Sequence, residues 1–374
     1  MSELRYPCPI VFGWGEHARL PELIRDSLPA ESAPRVLLVA TRGIAGRPAQ
    51  ELEKLLGTAP VAVCSGIPHD PPLEAVQNIV RQAWKQHANV VVAMGGGSVI
   101  DAAKAAAAVA PQEGELAEYF HGQRRLECPG LPLIALPTTA GSGAEITKNA
   151  VLTDRAGGVK KSLRSPLMVP AAAIVDPELT VSMPPELTAA SGLDALTQAV
   201  EAYISAWAHA VSRLLAAEAT RLLLEHLPVA CRNGDDRDAR TGMAEGSLLS
   251  AMAFSQSGLG AVHGLAHPLG VALGLPHGYV CAVLLPHILL WNAPVSQDSL
   301  EILARQVGCG CSGELVERIV ALVAELGIPA DFANDGLTEA HFADIVANCR
   351  SNSMSANPRP MTDEDVRELL QRLS

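Results

Sequence analysis

Five short, uninterrupted apolar runs constrain this chain more than any other feature. They are Val36–Ala40 (VLLVA), Val61–Cys64, Asn89–Met94 (NVVVAM), Leu133–Leu136 (LIAL) and Ala172–Val175. A strand wetted on one face alternates apolar and polar residues, whereas a strand buried on both faces has no need to. Helical patterns stand between the runs, amphipathic over Leu73–His87 and alanine-rich over Val99–Val109. Such alternation predicts a parallel sheet covered by helices. Past Asp176-Pro177-Glu178-Leu179 the texture changes. From Pro185 onward strand signals nearly vanish, and helices are expected over Thr188–Ser205, Val211–Leu227 and Thr241–Phe254. The fold class is α/β plus all-α, with an N-terminal parallel-sheet domain over 1–180 and a helical domain over 181–374.

Composition bounds the partners. With 374 residues, 48% of them hydrophobic, the chain can bury a core large enough for two domains. Its formal charge of -12 argues against nucleic acid and against an anionic membrane surface. Eight cysteines are scattered, and the one close pair, Cys309 and Cys311, has no second pair at zinc-finger spacing. Reduced cytoplasmic thiols fit this better than a disulfide framework. The N-terminal MSELRYPCPIVFGWG lacks the apolar core of a secretory signal, and no apolar run long enough to span a bilayer is free of Gly, Pro or charge. A soluble, cytoplasmic protein is expected.

The third apolar run leads into Gly95-Gly96-Gly97-Ser98 and then the alanine-rich helix. A glycine turn from strand to helix lets a phosphate approach the backbone, where the free N–H groups of the helix start bind it. The spacing is not G-x-G-x-x-G, and glycine turns also serve tight packing alone. A second loop, Pro137-Thr138-Thr139-Ala140-Gly141-Ser142-Gly143, follows the fourth run and is rich in hydroxyls. Two such loops at the ends of parallel strands mark the place where open α/β sheets bind nucleotides, so the first domain reads as Rossmann-like.

The second half carries HGLAHPLGVALGLPHG, from His263 to Gly278. His263 and His267 are four apart and share a face if the segment begins as a helix. Pro268 is expected to close or bend that helix, and Gly270, Gly274 and Pro276 to form a loop returning His277 toward His263. Three partly buried histidines satisfied by backbone carbonyls are the plain alternative. The arrangement favours a metal or catalytic centre.

In chain order, GGGSVIDAAKA, PTTAGSGAEITKNAVLTD, AIVDPEL, DALTQAVEAY, AVHGLAHPLG, LPHGYVCAVLLPH and NPRPMTDEDV resemble the iron-containing (group III) alcohol dehydrogenase family, which has a dehydroquinate synthase-like fold. The resemblance implies a nucleotide-binding α/β domain, a helical metal-binding domain, and NAD(P)(H)-dependent interconversion of small alcohols and aldehydes. It implies that Gly96, Gly97 and Ser98 hold the pyrophosphate, with Thr138, Thr139 and Ser142 on the phosphates and nicotinamide. Asp101 would lie near the nicotinamide or substrate, and Lys160 with Leu179–Met183 would close over the ribose. The metal ligands would be Asp194, Gln198, His263 and His277, with His267 beside nicotinamide and substrate. Asn149, Phe254 and Leu259 would line a pocket for a short, mostly uncharged substrate. A homodimer or higher homo-oligomer is the default.

One position departs from the family. Its second ligand, a histidine in D-x-x-x-H spacing, is Gln198 here, and an amide oxygen binds Fe²⁺ or Zn²⁺ more weakly than imidazole. Either a weakly bound ion is kept through Asp194, His263 and His277, with Gln198 a long or water-bridged fourth contact, or the metal is lost, as in the metal-independent maleylacetate reductase branch. The retained Asp194 favours the metal, since a buried carboxylate without a cation is costly. Thr41 stands where relatives restricted to NAD carry aspartate, so NADP is admissible. Arg42 reads equally as a partner for its 2′-phosphate or as a solvated loop residue.

Overall fold

The computed structural model describes residues 8–42, 53–54 and 62–374. Val61, the expected start of the second strand, and Gly43, at the end of the segment read for cofactor choice, lie outside them.

The apolar runs form one sheet. Strands β1 (Ile10–Phe12), β2 (Val36–Ala40), β3 (Ala62–Ser65), β4 (Val90–Gly95), β5 (Leu133–Pro137) and β8 (Ala172–Val175) are all parallel, in the order β1-β8-β5-β4-β2-β3. Both faces are buried in β2, β4, β5 and β8, which is why those runs do not alternate; β3, at the sheet edge, instead exposes Val63 and Ser65. Leu37, Val39, Val91, Ala93, Leu133 and Ala135 pack on helices α2 (Leu73–Lys85) and α3 (Gly97–Val109). Val36, Leu38, Val90, Val92, Ile134 and Ile174 meet Leu20 and Ile24 of α1 (Leu20–Asp26) on the other face. Each such valine, leucine or isoleucine contributes about 1.5–3 kcal/mol on full burial. The strand order reverses between β2 and β4, the switch point at which sheets of this type open a crevice for a ligand.

Strand β1 and the antiparallel hairpin β6 (Asn149–Asp154) with β7 (Val159–Arg164) were not legible in the sequence. The first is three residues long. The second carries Lys160, Lys161 and Arg164 and is only half-buried, so neither offers a continuous apolar run.

The described chain falls into two compact units, one of Arg5–Thr139 with Gly143–Thr180, the other of Ala140–Ser142 with Val181–Ser374. The second contains no strand among the described residues. Following the short helix α4 (Leu116–Phe120) of the α/β unit, its helices are α5 (Pro185–Ile204), α6 (Ala210–Arg232), α7 (Arg237–Ser257), α8 (Ala261–Leu273), α9 (His277–Gln306), α10 (Ser312–Glu325), α11 (Glu339–Asn348), α12 (Asn352–Ala356) and α13 (Asp363–Leu373). Every residue of α5 from Gly192 to Ile204 is buried, as in a helix that other helices surround.

The break expected at Pro268 does not occur. Helix α8 runs through it and through Gly270 to Leu273, and ends at Gly274 in the left-handed conformation (φ 67°). An internal proline costs a helix roughly 3 kcal/mol. Here Val262, Leu265 and Leu269, all at 0% exposure, offset that by packing into the core. Helix α9 is long and apolar enough to cross a membrane, but half of its apolar window is buried within the helical unit, and Pro286 and Pro294 lie inside it.

Candidate metal centre and nucleotide-binding loops

Helix α5 buries three long polar side chains on one stripe. Asp194, Gln198 and Glu201 are spaced i, i+4, i+7, and its other buried polar residues are Thr188 and Thr197. Helix α8 presents His263 to that stripe. The His263 Nε2 lies 3.3 Å from Asp194 Oδ1, and its Nδ1 lies 2.7 Å from Glu201 Oε2. The two carboxylates thus grip opposite ring nitrogens. Glu201 also accepts the N–H of Gly260 at 2.9 Å and of Val262 at 2.7 Å, so it clamps the first turn of α8. Asn357 completes the clamp, accepting the Ala261 N–H at 3.1 Å and exchanging amide hydrogen bonds with Asn292.

His277 begins α9. Gly278 beside it touches α5 so closely that an added Cβ would fall on the Ala190 carbonyl group. That approach sets His277 Nε2 3.9 Å from Asp194 Oδ1. One turn on, the Cys281 sulfur lies 3.6 Å from His277 Nε2. Ligand atoms of Asp194, His263, His277 and Cys281 all lie within 4.8 Å of one another. The donor set of one carboxylate, two imidazoles and a thiol suits a divalent transition metal.

Burial opposes ionisation of Asp194, yet the His263 hydrogen bond and the His277 ring beside it hold its carboxyl below the usual carboxylate range. Burial likewise opposes the His263 cation, but the hydrogen bonds to Asp194 and Glu201 prevail and raise its pKa to about 9.

The Gln198 Oε1 accepts the Ser250 hydroxyl at 3.1 Å. His267 stacks on His277, with ring centroids 4.9 Å apart and planes 19° off parallel. Phe254 packs partly on the helical core near the end of α7, and Leu259 is half-buried just before α8. Glu201 and Cys281 went unread in the sequence. Their signals were the i+7 spacing from Asp194 and the i+4 spacing from His277.

In the α/β unit the strand-end loops converge. Gly95 leaves room for the Thr41 hydroxyl, whose oxygen would stand 2.7 Å from an added Cβ. Gly96 faces the Thr139 side chain in the same way, at 3.3 Å. Gly96 is the extended N-cap of α3 and brings no side-chain cap, while Thr138 is buried with its N–H bonded to Gly95. Gly97 and Ser98 form the first turn of α3. The Arg42 guanidinium lies across Gly66 at the end of β3, 2.9 Å from where a Cβ would be.

Other expected residues have protein partners. Asp101 accepts the Val151 N–H at 2.9 Å and pairs with Lys104 at 3.2 Å. Burial raises the Asp101 pKa and lowers that of Lys104, which also donates to the carbonyls of Ala144, Thr147 and Asn149. Lys160 pairs with Asp70 at 2.8 Å. Leu179 lies in a 3₁₀ turn partly packed on the sheet core. In the helical unit Ser142 is exposed, and the Met183 carbonyl accepts from the buried Arg240 at 3.1 Å.

Comparison with known proteins identifies the family. Residues 7–177 match the family model described as iron-containing alcohol dehydrogenase, and 188–374 match the model for the C-terminal part of the Fe-containing alcohol dehydrogenase family. This chain belongs to the iron-containing alcohol dehydrogenases. Among the relatives of this dehydrogenase is long-chain-alcohol dehydrogenase 1 of Geobacillus thermodenitrificans, 36% identical over 83% of the chain and 81% of the relative. Another is the 1,3-propanediol dehydrogenase of Citrobacter freundii, 36% identical over 83% of both. A solved sulfoacetaldehyde reductase from Bifidobacterium kashiwanohense in complex with NAD+ superposes with a TM-score of 0.92 at 31% identity, covering 100% of this chain and 98% of that one. The dehydrogenase is an oxidoreductase acting on CH–OH groups, and NAD with a divalent metal are the cofactors its family supports.

Proposed function

We propose that this enzyme transfers hydride between NAD(P)(H) and a small alcohol or aldehyde at a divalent-metal site. The observation that carries the metal is the buried group of Asp194, His263, His277 and Cys281, with ligand atoms within 4.8 Å. When bound, the ion supplies Lewis-acid stabilisation of charge on the substrate oxygen, and the nicotinamide supplies the hydride. The chain's own residues do the rest. Glu201 holds the His263 ring with Nε2 toward Asp194, fixing the tautomer a metal requires. His267, stacked on His277, is assigned to relay the proton that the product oxygen needs. Gly96, Gly97 and Ser98, with Thr138 and Thr139, are assigned to the pyrophosphate, and Asp101, held by Val151 and Lys104, to the floor of the nicotinamide site.

NADP is accepted alongside NAD in this reading. Thr41 and Arg42 supply a hydroxyl and a guanidinium at the β2–β4 switch point and its margin, with no carboxylate to repel a 2′-phosphate. Ser142, Lys160, Leu179 and Met183 are further cofactor contacts, and Asn149, Phe254 and Leu259 line a pocket for short, uncharged substrates. The eight cysteines form no disulfide among the described residues, which supports a reducing, cytoplasmic setting. A homodimer or higher homo-oligomer is the proposed assembly.

A metal-independent reductase is the competing reading, since a maleylacetate reductase from Agrobacterium tumefaciens shares the fold at 29% identity and a TM-score of 0.82. The two separate on a panel of short aldehydes reduced with NADH or NADPH, before and after dialysis against chelator. Activity is expected to fall at least tenfold on chelation, return with Zn²⁺ or Fe²⁺, and be lost in Asp194→Ala. Full activity after chelation and in Asp194→Ala would establish the metal-free reading.

A further inference from the structure

The expected ligand set leaves one donor unexplained. Cys281 follows His277 by one turn of α9, so the two side chains leave the same helix face. A buried cysteine ordinarily acts as a small apolar side chain. Cys349 fits that description, buried at the end of α11 with its thiol donating to the Val346 carbonyl at 3.3 Å. Cys281 is also fully buried, but its sulfur stands among an Asp194 oxygen and the ring nitrogens of His263 and His277. The oxygen of Gln198 is meanwhile engaged by Ser250 at 3.1 Å.

We propose that Cys281, as a thiolate, is the fourth protein ligand of the metal, and that Gln198, engaged by Ser250, does not bind the ion. The inference rests on the metal-dependent function proposed above. A tetrahedral centre with metal–nitrogen and metal–oxygen bonds near 2.0–2.2 Å and a metal–sulfur bond near 2.3 Å has donor–donor edges of about 3.3–3.7 Å. The edges here are 3.3 Å from His263 to Asp194, 3.6 Å from Cys281 to His277 and 3.9 Å from His277 to Asp194. Three edges are already near their final length without an ion. Ligation breaks the S–H bond, the sulfur keeps the electron pair for the metal, and the proton leaves to solvent. A thiolate in place of an imidazole would shift preference toward zinc.

The test uses the full-length protein stripped by chelator and titrated with Co²⁺, then with Zn²⁺. Wild type is expected to show visible d–d bands together with a near-ultraviolet sulfur-to-cobalt charge-transfer band. X-ray absorption of the zinc form is expected to show one sulfur at about 2.3 Å. Cys281→Ser should lose the charge-transfer band, keep the visible bands and bind Zn²⁺ at least tenfold more weakly. Stoichiometric cobalt binding with visible bands, no charge-transfer band and no sulfur at the zinc would overturn the role of Cys281 and leave the metal-dependent function standing. Failure of wild type to bind either ion would overturn both. Should Cys281→Ser not fold, the wild-type cobalt spectrum and the zinc absorption edge decide alone.

Discussion

Three N–H groups converge on the Glu201 carboxylate, from Gly260, Val262 and His263 Nδ1. No neutral side chain of the same shape satisfies them, because a glutamine amide offers one acceptor oxygen and turns its own donors toward the rest. Hydrogen bonds to a buried charge are worth about 1.5–3 kcal/mol each. Glu201→Gln is expected to destabilise the protein by about 3 kcal/mol. Because the same carboxylate orients a ligand ring, the substitution should also weaken Zn²⁺ binding by about 10–100-fold. Competition against a chromophoric chelator measures the second effect apart from the first. Unchanged zinc affinity in a destabilised Glu201→Gln protein would reduce Glu201 to a clamp for α8. The position was legible as a polar residue in an apolar helix, but its partners on α8 were not, since nothing in the linear chain says which helix faces that stripe.

At the scale of elements, two glycines flanking the α8–α9 connection do different work. Gly274 ends α8 at φ 67°, with nothing within 4 Å of an added Cβ. Gly274→Ala should therefore cost about 1 kcal/mol, from left-handed backbone strain alone. Gly278 has ordinary backbone angles, but an added Cβ meets the carbonyl of Ala190 on α5. Backbone cannot step aside as a side chain can, so Gly278→Ala has to push the start of α9, and His277 with it, away from Asp194. About 3 kcal/mol of destabilisation is expected from the overlap, together with loss of tight metal binding. Thermal melts in the presence and absence of Zn²⁺ distinguish the pair. Metal should stabilise the Gly274 variant as it does wild type, and the Gly278 variant hardly at all. Equal zinc-induced shifts would show that the helix contact does not position the ligand. The same region shows why Pro268 misled. Proline's local penalty is real, and the packing of Val262, Leu265 and Leu269 outweighs it.

For the molecule as a whole, the α/β unit buries a charge cluster that sets a pH dependence of its own. Glu145 lies beside Lys104 and Asp101, and burial raises its pKa from 4.5 to about 6 against the pull of Lys104. A carboxyl that holds its proton more tightly when folded favours the fold below pH 4.5, and that contribution is lost as pH rises through about 6. At pH 7 the ionised form then costs roughly 2 kcal/mol. Glu145→Gln should be more stable than wild type at pH 7 by that order and nearly equal to it near pH 4.5. Urea unfolding of the full chain at the two pH values checks this. A variant less stable than wild type at pH 7 would mean that attraction to Lys104 exceeds the cost of burial.

The sequence alone determined the parallel sheet, because strands buried on both faces must be apolar throughout, and that requirement is visible residue by residue in β2, β4, β5 and β8. It also determined the change to helices past Pro185 and the placing of His263 and His267 on one helix face, since helical spacing is a local property; Asp194 entered as a candidate ligand only through the family resemblance. The edge strand β1 and the hairpin β6–β7 were beyond it, because a short or half-exposed strand owes its existence to a neighbour. Tertiary structure alone decided that α8 continues through its proline and that Glu201 faces His263. It also put the oxygen of Gln198 against the Ser250 hydroxyl, and the thiol of Cys281 beside Asp194, His263 and His277. Each depends on which faces of α5, α7, α8 and α9 meet, a matter settled by packing across tens of residues and invisible to any spacing within one helix.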